Sequence, residues 1–353
     1  MGPVRSASIV VPPSTVEGRR REGIDEDAFT LAVTAVELLA MASVPVPPGG
    51  PSITFDLFGS VSPGLASLFP LAVGRPGSPV ALHPDRNEEL ERVLDTAPAA
   101  GEARVLVAAE ALGDPLREPL EPRDAGAVAL LLDPGPAPVR TPSSPGASAS
   151  VELGAAGSAL REAAARARGV SPVAWIPPST PSTVAPERRR SEVSLRELSE
   201  GAYVPRPRYL DNLPSRWRFA AERCRDCSAI TFPPRGRCRG CGSTAGLVPL
   251  ELPRAGGMVE VATTVHAGAQ PTEFDWWVDR VGAYDVALVE IAPGVRVTLQ
   301  GTDAPAGTLR RGMVVGTVLR RLFPLEGEWR YGRKAVPLAL TPGGSGSPAP
   351  TAP

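Results

Sequence analysis

The residues best suited to chemistry are the four cysteines, which form two C-x-x-C pairs. They are Cys224, Cys227, Cys238 and Cys241, and the 353-residue chain has no others. A C-x-x-C turn directs two sulfur atoms to one point, and two such turns build a tetrahedral cage for zinc, or for iron in a rubredoxin-like site. The segment 232–236 between the pairs is rich in proline and ends in glycine, so it is a rigid loop able to bring the two turns face to face.

The cysteines have a second interpretation, as two disulfides of an exported chain. Residues 1–11 lack a basic segment followed by an apolar one, so we expect a cytoplasmic protein with reduced thiols. Reduced cysteines at this spacing favour a metal site. Four thiolates leave no open coordination position, which predicts a structural zinc and not a catalytic one. A colourless preparation would favour zinc over iron.

The overall composition limits the function classes. The net charge of −1 argues against a surface built throughout for nucleic acid or for anionic membrane. No apolar run reaches the roughly 20 residues that a membrane-spanning helix needs. Neither a Gly-x-Ser-x-Gly nucleophile turn nor a glycine-rich phosphate loop occurs, so hydrolase and kinase functions are disfavoured.

The first 175 residues predict a layered α/β domain. A wide apolar stripe over 28–41, after the acidic residues 25–27, predicts a helix that is covered on most sides. Continuous apolar runs predict strands buried on both sheet faces. The predicted strands are 6–11, 52–58, 80–82, 103–109 and 125–132, and two further helices are predicted at 88–94 and 155–168.

The remaining chain divides by composition into four parts. Residues 176–205 form a linker rich in proline and charge, 206–246 a partly helical lead and the cysteine ribbon, and 341–353 a disordered tail. Within the lead, Pro214 should break or start a helix. Short strands at 247–252, 258–266, 283–291, 295–299, 313–322 and 329–336, separated by Gly and Pro turns, predict a small closed β-barrel over 247–340.

The second half resembles the rubredoxin-like zinc-ribbon plus OB-fold proteins that accompany thiolases. The resemblance covers roughly residues 209–338, and it rests on the four cysteines, the aromatic segment before them and the strands after them. The segments that carry it are 257–266, 286–290, 311–313 and 326–332. It implies a partner protein that bridges or completes thiolase-like or synthase-like catalytic subunits acting on acyl-CoA, with coenzyme A or an acyl-CoA as a possible ligand.

The first half resembles the thiolase superfamily, in particular its hydroxymethylglutaryl-CoA synthase branch. Residues 25–41 are similar to the first long helix of that fold, and 104–110 with 122–131 are similar to the strands after the nucleophile helix. Such enzymes use a cysteine thiolate, but the equivalent position here falls near His83, and the half of the fold with the catalytic histidine is missing. The resemblance therefore implies a degenerate, non-catalytic domain with no catalytic residues.

The two histidines and an aromatic pair are the other candidates. His83, before Pro84, is expected to be a solvated loop residue more than a nucleophile or base, and His266 a satisfied barrel residue more than a ligand. Asp275, Trp276 and Trp277 are predicted to lie in a barrel loop, where the indoles could stack on an adenine or a nucleobase, or anchor a protein interface.

A basic segment surrounds the cysteines. Nine arginines lie between 206 and 239 against three acidic residues, namely Arg206, Arg208, Arg216, Arg218, Arg223, Arg225, Arg235, Arg237 and Arg239 against Asp211, Glu222 and Asp226. Such a patch can hold the phosphates of coenzyme A or of nucleic acid, or it can be a solvated surface.

Taken together, the cysteines and the two resemblances lead us to expect a zinc-binding accessory subunit of an acyl-CoA-processing complex. The alternative is a protein that binds single-stranded nucleic acid, and no membrane partner is expected.

Overall fold

The computed structural model describes residues 4–10, 14–16, 19–21, 27–42, 52–59, 61–83, 93, 98, 102–110, 126–132, 173–175, 206–254, 256–325 and 328–338. The predicted helices at 88–94 (apart from Val93) and 155–168, the linker at 176–205 and the tail at 341–353 lie outside these residues. The domain limits 1–175 and 247–340 therefore stay predictions.

The first half is built on a six-stranded mixed sheet. Its strands are β1 (Val4–Val10), β4 (Ser52–Gly59), β5 (Val80–His83), β6 (Glu102–Glu110), β7 (Gly126–Leu132) and β8 (Val173–Trp175), and β2 (Ser14–Val16) pairs with β3 (Arg19–Arg21) as a separate hairpin. The strand order is β5-β4-β6-β7-β1-β8, with β5, β4 and β6 parallel to each other and β7 antiparallel to both β6 and β1. The five strands predicted here are confirmed within about two residues.

Strands β6 and β7 are buried on both faces, as their continuous apolar runs predict. Val105 and Val107 lie on the face that contributes to the main core, whereas Leu106 and Leu130 are equally buried on the opposite face. A strand with water on one face would alternate apolar and polar side chains. The layered α/β prediction is confirmed to this extent: a mixed sheet with a helix on it.

Helix α1 (Ala28–Ala42) packs against strands β1, β6 and β7 of the sheet. It begins at Asp27, whose carboxylate accepts a hydrogen bond from the Thr30 N–H at 2.9 Å, while Thr30 Oγ1 accepts one from the Asp27 N–H. From Ala28 to Leu39 every side chain is buried except Glu37, which is half-buried. The prediction that this helix is covered on most sides is confirmed. Two short helices, α2 (Pro63–Ala66) and α3 (Phe69–Ala72), add Phe69 to the same core.

Two short helices lead into the cysteine ribbon. These are α4 (Arg206–Asp211) and α5 (Leu213–Arg218), and Pro214 stands in the first turn of α5, as predicted. Phe219 ends α5 with a left-handed φ of 55°. The chain then reverses into the ribbon sheet, whose strands are β9 (Ala220–Cys224), β10 (Ile230–Thr231) and β11 (Leu247–Glu251), in the order β10-β9-β11.

Strand β11 corrects one prediction. The segment 247–252 was expected to be the first barrel strand, but it pairs antiparallel with β9, from Leu247 opposite Cys224 to Glu251 opposite Ala220. An apolar pattern shows that a segment is a strand but not which strand it pairs with. Here the second cysteine turn delivers the chain directly beside β9, so the nearest open strand edge is that of the ribbon.

The other five predicted strands form one antiparallel sheet. They are β12 (Gly257–His266), β13 (Ala283–Ala292), β14 (Val295–Gln300), β15 (Val314–Leu325) and β16 (Glu328–Pro337), in the order β14-β13-β12-β15-β16. A parallel bridge between Gly301 and Ala335, with the Thr302 N–H donating to the Ala335 carbonyl at 3.0 Å, joins the two outer strands. The sheet thus curves until its edges meet, around a core that includes Val259, Val289 and Leu299.

The second face of α1 is covered by the C-terminal half. Phe29 packs against Trp217 of α5 and Tyr331 of β16, with ring centroids 5.7 and 5.4 Å away. The six-stranded sheet, α1, α5 and strands β15 and β16 therefore contribute side chains to one apolar core. Among the described residues, no helix combines the length and the hydropathy that a membrane crossing requires.

Candidate metal centre

The two C-x-x-C segments adopt matching turns that direct their sulfurs to one point. In the first turn the Ser228 N–H donates to the Cys224 carbonyl at 2.9 Å, and in the second the Gly242 N–H donates to the Cys238 carbonyl at 3.0 Å. Ser228 and Gly242 both have left-handed φ values, 61° and 75°. A small residue tolerates this conformation, which turns backbone N–H groups toward the sulfurs.

The four sulfur atoms form a compact cluster. All of them lie within 4.8 Å of one another, with Cys224 and Cys241 Sγ atoms 3.7 Å apart and those of Cys227 and Cys238 3.4 Å apart. Four thiolates around a zinc ion at Zn–S distances of about 2.3 Å have sulfurs about 3.8 Å apart. The observed cluster therefore has the size of a tetrahedral zinc cage, and its donor set is the one found in structural zinc sites.

Local hydrogen bonds and neighbouring sulfurs shift the thiol pKa values in opposite directions. The pKa of Cys238 is lowered to about 6, chiefly by the backbone N–H of Cys241 and then by that of Gly240. At Cys241 the Ser243 N–H lowers the pKa, but the sulfurs of Cys227 and Cys238 oppose it, and the pKa is raised to about 12. Four adjacent thiols cannot all ionise without a compensating positive charge, which a divalent cation supplies.

His83 is not a solvated loop residue, which corrects that prediction. It ends β5, its side chain is only 14% exposed, and its Nε2 lies 2.8 Å from Oδ1 of Asp56 on the neighbouring parallel strand. The imidazole also stacks on Phe58, with ring centroids 4.7 Å apart, and Arg104 Nε lies 3.5 Å from the other Asp56 oxygen. His83 and Asp56 meet because β4 and β5 are adjacent parallel strands. The sequence pattern of either strand alone does not reveal this pairing.

His266 and the tryptophans also differ from expectation. His266 ends β12 and is exposed, so it is not a packed barrel residue. Trp276 and Trp277 belong to helix α6 (Asp275–Val281) and not to a loop. Trp277 is 2% exposed, its Nε1 donates to the Leu322 carbonyl, and the Lys334 ammonium lies 3.9 Å from its ring centroid. It is therefore a core residue, while the half-buried Trp276 packs edge-on against it.

The predicted arginine patch separates into engaged and exposed members. Arg218 pairs with Glu251 at 3.1 Å, Arg239 donates to the Gly294 carbonyl at 3.0 Å, and Arg216 lies over the Tyr209 ring. The side chain of Arg206 lies outside the described residues. Within the part of the chain that the structure describes, five further arginines of the patch are exposed and have no carboxylate partner: Arg208, Arg223, Arg225, Arg235 and Arg237.

A set of buried charges was not foreseen. Glu37 of α1 accepts hydrogen bonds from Arg333 Nη1 at 2.9 Å and from Arg254 Nη1 at 2.7 Å, and it also contacts Arg333 Nη2. Asp27, at the start of the same helix, accepts a hydrogen bond from the Tyr331 hydroxyl at 2.7 Å. The signal in the sequence was the presence of charged residues inside the apolar strands β15 and β16, where a surface explanation does not hold.

The ribbon is similar to a described family of domains. The model of "ChsH2, rubredoxin-like zinc ribbon domain" matches residues 215–246. A "DUF35 domain-containing scaffold protein" of Methanocaldococcus jannaschii is 27% identical over 129 residues, which are 36% of this chain and 86% of that protein.

Solved structures with local similarity include two of differing kinds. The "Ltp2-ChsH2(DUF35) aldolase" is 23% identical, covers 38% of this chain and 98% of that chain, and has a TM-score of 0.28. The PksG hydroxymethylglutaryl-CoA synthase of Bacillus subtilis is 14% identical, covers 38% of this chain and 40% of that chain, and also has a TM-score of 0.28. Residues 215–246 thus match a zinc ribbon of the ChsH2 type, and the chain is similar over about a third of its length to a DUF35 scaffold protein.

Proposed function

We propose that this protein is a non-catalytic accessory or bridging subunit of a thiolase-like or hydroxymethylglutaryl-CoA synthase-like complex that processes acyl-CoA. One observation carries the proposal: every cysteine of the chain lies in one four-sulfur cluster. The thiol that such enzymes need for acyl transfer is therefore absent from this chain. The same four residues, Cys224, Cys227, Cys238 and Cys241, are proposed to bind one structural zinc ion.

The architecture of the second half supports a scaffolding role. The ribbon in this half matches the ChsH2 zinc-ribbon model, and the chain is 27% identical over 129 residues to a protein described as a scaffold. A cage of four thiolates has no open metal position. We propose that the five-stranded sheet, closed by the Gly301–Ala335 bridge, is an OB-fold barrel. We further propose that the α/β half is a degenerate thiolase-like domain. Its His83 already shares a hydrogen bond with Asp56 and packs on Phe58.

The outer face of the five-stranded sheet offers a surface for the catalytic subunit. Met258 is 52% exposed, and its neighbour across the strands, Val314, is 39% exposed. A bulge at Val259–Val261 moves Val261, which is 59% exposed, onto the same face, opposite the half-buried Leu288. Adjacent exposed apolar side chains of this kind mark protein-binding sites in soluble proteins. We propose that Met258, Val261 and Val314 contact the thiolase-like partner.

One feature offered for the alternative of a single-strand nucleic-acid-binding protein, an accessible tryptophan pair, is only partly present. The indole of Trp277, one of the two rings expected to stack on a base, is in the core beneath Lys334. Base stacking needs an accessible ring face. The exposed arginines remain compatible with any phosphate, and they are considered separately below.

The proposal is tested by purifying the tagged full-length chain from its native lysate. The expected result is co-purification of a cysteine-bearing thiolase-like or synthase-like subunit, with condensing activity in the eluate and none in the isolated chain. Turnover by the isolated chain, lost on His83→Ala, would contradict a non-catalytic role. Recovery of nucleic acid with no such enzyme would favour the alternative.

Matched variants locate the contact surface. Val261→Asp together with Met258→Asp should abolish co-purification, because two charges would replace the exposed apolar side chains at the interface. Val281→Asp is the control, since Val281 is similarly exposed, at 41%, but lies at the end of α6. Equal loss with both sets of variants would show that the outer sheet face is not the contact.

A further inference from the structure

The outer side of the ribbon carries an open groove with two arginines on its rim. The groove has a volume of about 260 Å³ and is lined by Arg223, Cys224, Arg225, Ser228, Val248, Pro249 and Leu250. It lies along β9 and β11, next to the first cysteine turn, and is separate from the sheet face proposed as the partner contact. Its rim is cationic and its floor is apolar.

The strand geometry places both guanidinium groups on the same side. The ladder between β9 and β11 continues past Cys224, because the Arg225 N–H donates to the Gly246 carbonyl at 3.0 Å. Arg223 and Arg225 are two residues apart, so their side chains project from one face, with Cα atoms about 7 Å apart. Opposite Arg225 stands Gly246, where an added Cβ would lie 3.6 Å from the Arg225 Cβ.

The charges of these two arginines are not neutralised by the protein. Neither has a carboxylate within ion-pair distance among the residues that the structure describes, whereas their neighbours Arg218 and Arg239 are engaged by Glu251 and by the Gly294 carbonyl. Of the two acidic residues adjacent in sequence, Glu222 accepts hydrogen bonds from the Arg235 and Gly236 N–H groups and Asp226 is exposed, and neither is part of the lining. Two unpaired guanidinium groups beside an apolar floor match a ligand with adjacent phosphates and an organic part.

We infer that this groove binds the diphosphate of a phosphorylated small molecule of the coenzyme A type, with Arg223 and Arg225 on the phosphates and Val248 and Leu250 beneath the organic part. The choice of coenzyme A as the ligand rests on the proposed function. All residues that line the groove come from this chain, so ligand binding can be measured without a partner protein.

The test is calorimetric titration of the zinc-loaded full-length chain with coenzyme A, with inorganic pyrophosphate and with a dT₁₂ oligonucleotide. Coenzyme A and pyrophosphate should both bind and should compete. Arg223→Gln with Arg225→Gln should weaken both by at least about tenfold, because each substitution removes a charge-assisted hydrogen bond to phosphate. Val248→Ser should weaken coenzyme A binding but leave pyrophosphate binding unchanged.

The control is Arg235→Gln with Arg237→Gln, which removes the same charge from exposed arginines outside the groove lining. It should leave both affinities unchanged, and the zinc content of every variant should equal that of the parent chain. Equal weakening by the two double variants, tighter binding of dT₁₂ than of coenzyme A, or no binding of either small probe would overturn the inference. Because the chain is tested without a partner, such a failure leaves the co-purification experiment unaffected, and the two proposals are judged independently.

Discussion

The cysteine ribbon and the interface between α1 and strand β16 are stabilised in opposite ways. In the ribbon, Cys224 and Cys241 are 17 positions apart, and two of the four cysteines are exposed. At the interface, Asp27 meets Tyr331 across 304 positions and Glu37 meets Arg333 across 296, with these contacts buried or half-buried. We expect the ribbon to gain its stability from the zinc ion that its four clustered cysteines would bind. The interface gains it from a large core that two distant segments share.

This difference suggests separate contributions of the ribbon and of the interface to the proposed scaffolding role. A module closed by four thiolates is rigid and changes little when its surroundings change, which suits a scaffold. The interface instead joins the α/β half to the closed sheet through aromatic packing and buried ion pairs. These contacts therefore hold the α/β half and the five-stranded sheet together in the folded protein.

The largest expected effect comes from removing one metal ligand. Cys227→Ser should abolish tight zinc binding and unfold the ribbon, because zinc contributes roughly 10–16 kcal/mol to the folding of comparable small modules. The shared core around Phe29 should stay folded. The measurement is zinc per chain by mass spectrometry, together with amide hydrogen exchange in 220–251 and in 28–39.

Thr244→Ser, an exposed change between the second cysteine turn and β11, is the control and should retain one zinc per chain. If Cys227→Ser increased exchange in 28–39 as much as in the ribbon, the two regions would be one cooperative unit and the contrast between them would be wrong.

A smaller effect is expected from breaking the buried charges. Glu37→Gln leaves Arg333, whose side chain is fully buried, without its carboxylate, and such changes cost about 3–5 kcal/mol. The free energy of unfolding in urea, followed by tryptophan fluorescence, measures this loss.

Glu260→Gln is the matched control for Glu37→Gln. The pair between Glu260 and Arg296 lies on the exposed sheet face, where water screens both charges. We expect no measurable change in stability there. A loss as large as that of Glu37→Gln would mean that burial does not explain the difference.

The same contrast explains how much of the molecule the sequence could predict. The ribbon was predictable because a C-x-x-C turn brings its own ligands together, and α1 was predictable because a wide apolar stripe requires cover. What covers its second face was not predictable, since Phe29 meets Trp217 and Tyr331 only after the whole chain has folded. The pairing of His83 with Asp56 and of β11 with β9 has the same character, because each depends on strand order, which a single sequence does not encode locally.

The smallest effect concerns one hydrogen bond at the interface, and it has a sign that pH can test. Burial, reinforced by the nearby Asp27 carboxylate, raises the pKa of Tyr331 above its ordinary value near 10. The folded state therefore holds the phenol proton more tightly than the unfolded state, so this contribution is complete below about pH 10 and is lost as the pH rises further.

Tyr331→Phe removes the hydrogen bond to Asp27 and should cost about 1 kcal/mol at pH 8. The variant should also lose less stability than the parent chain between pH 8 and pH 11, because one buried phenol no longer resists ionisation. Tyr209, whose pKa burial also raises, stays in both proteins and contributes to both curves. Parallel curves for the two proteins would show that the Tyr331 hydroxyl does not couple the halves, and the interface would then depend on its apolar core and on Glu37 alone.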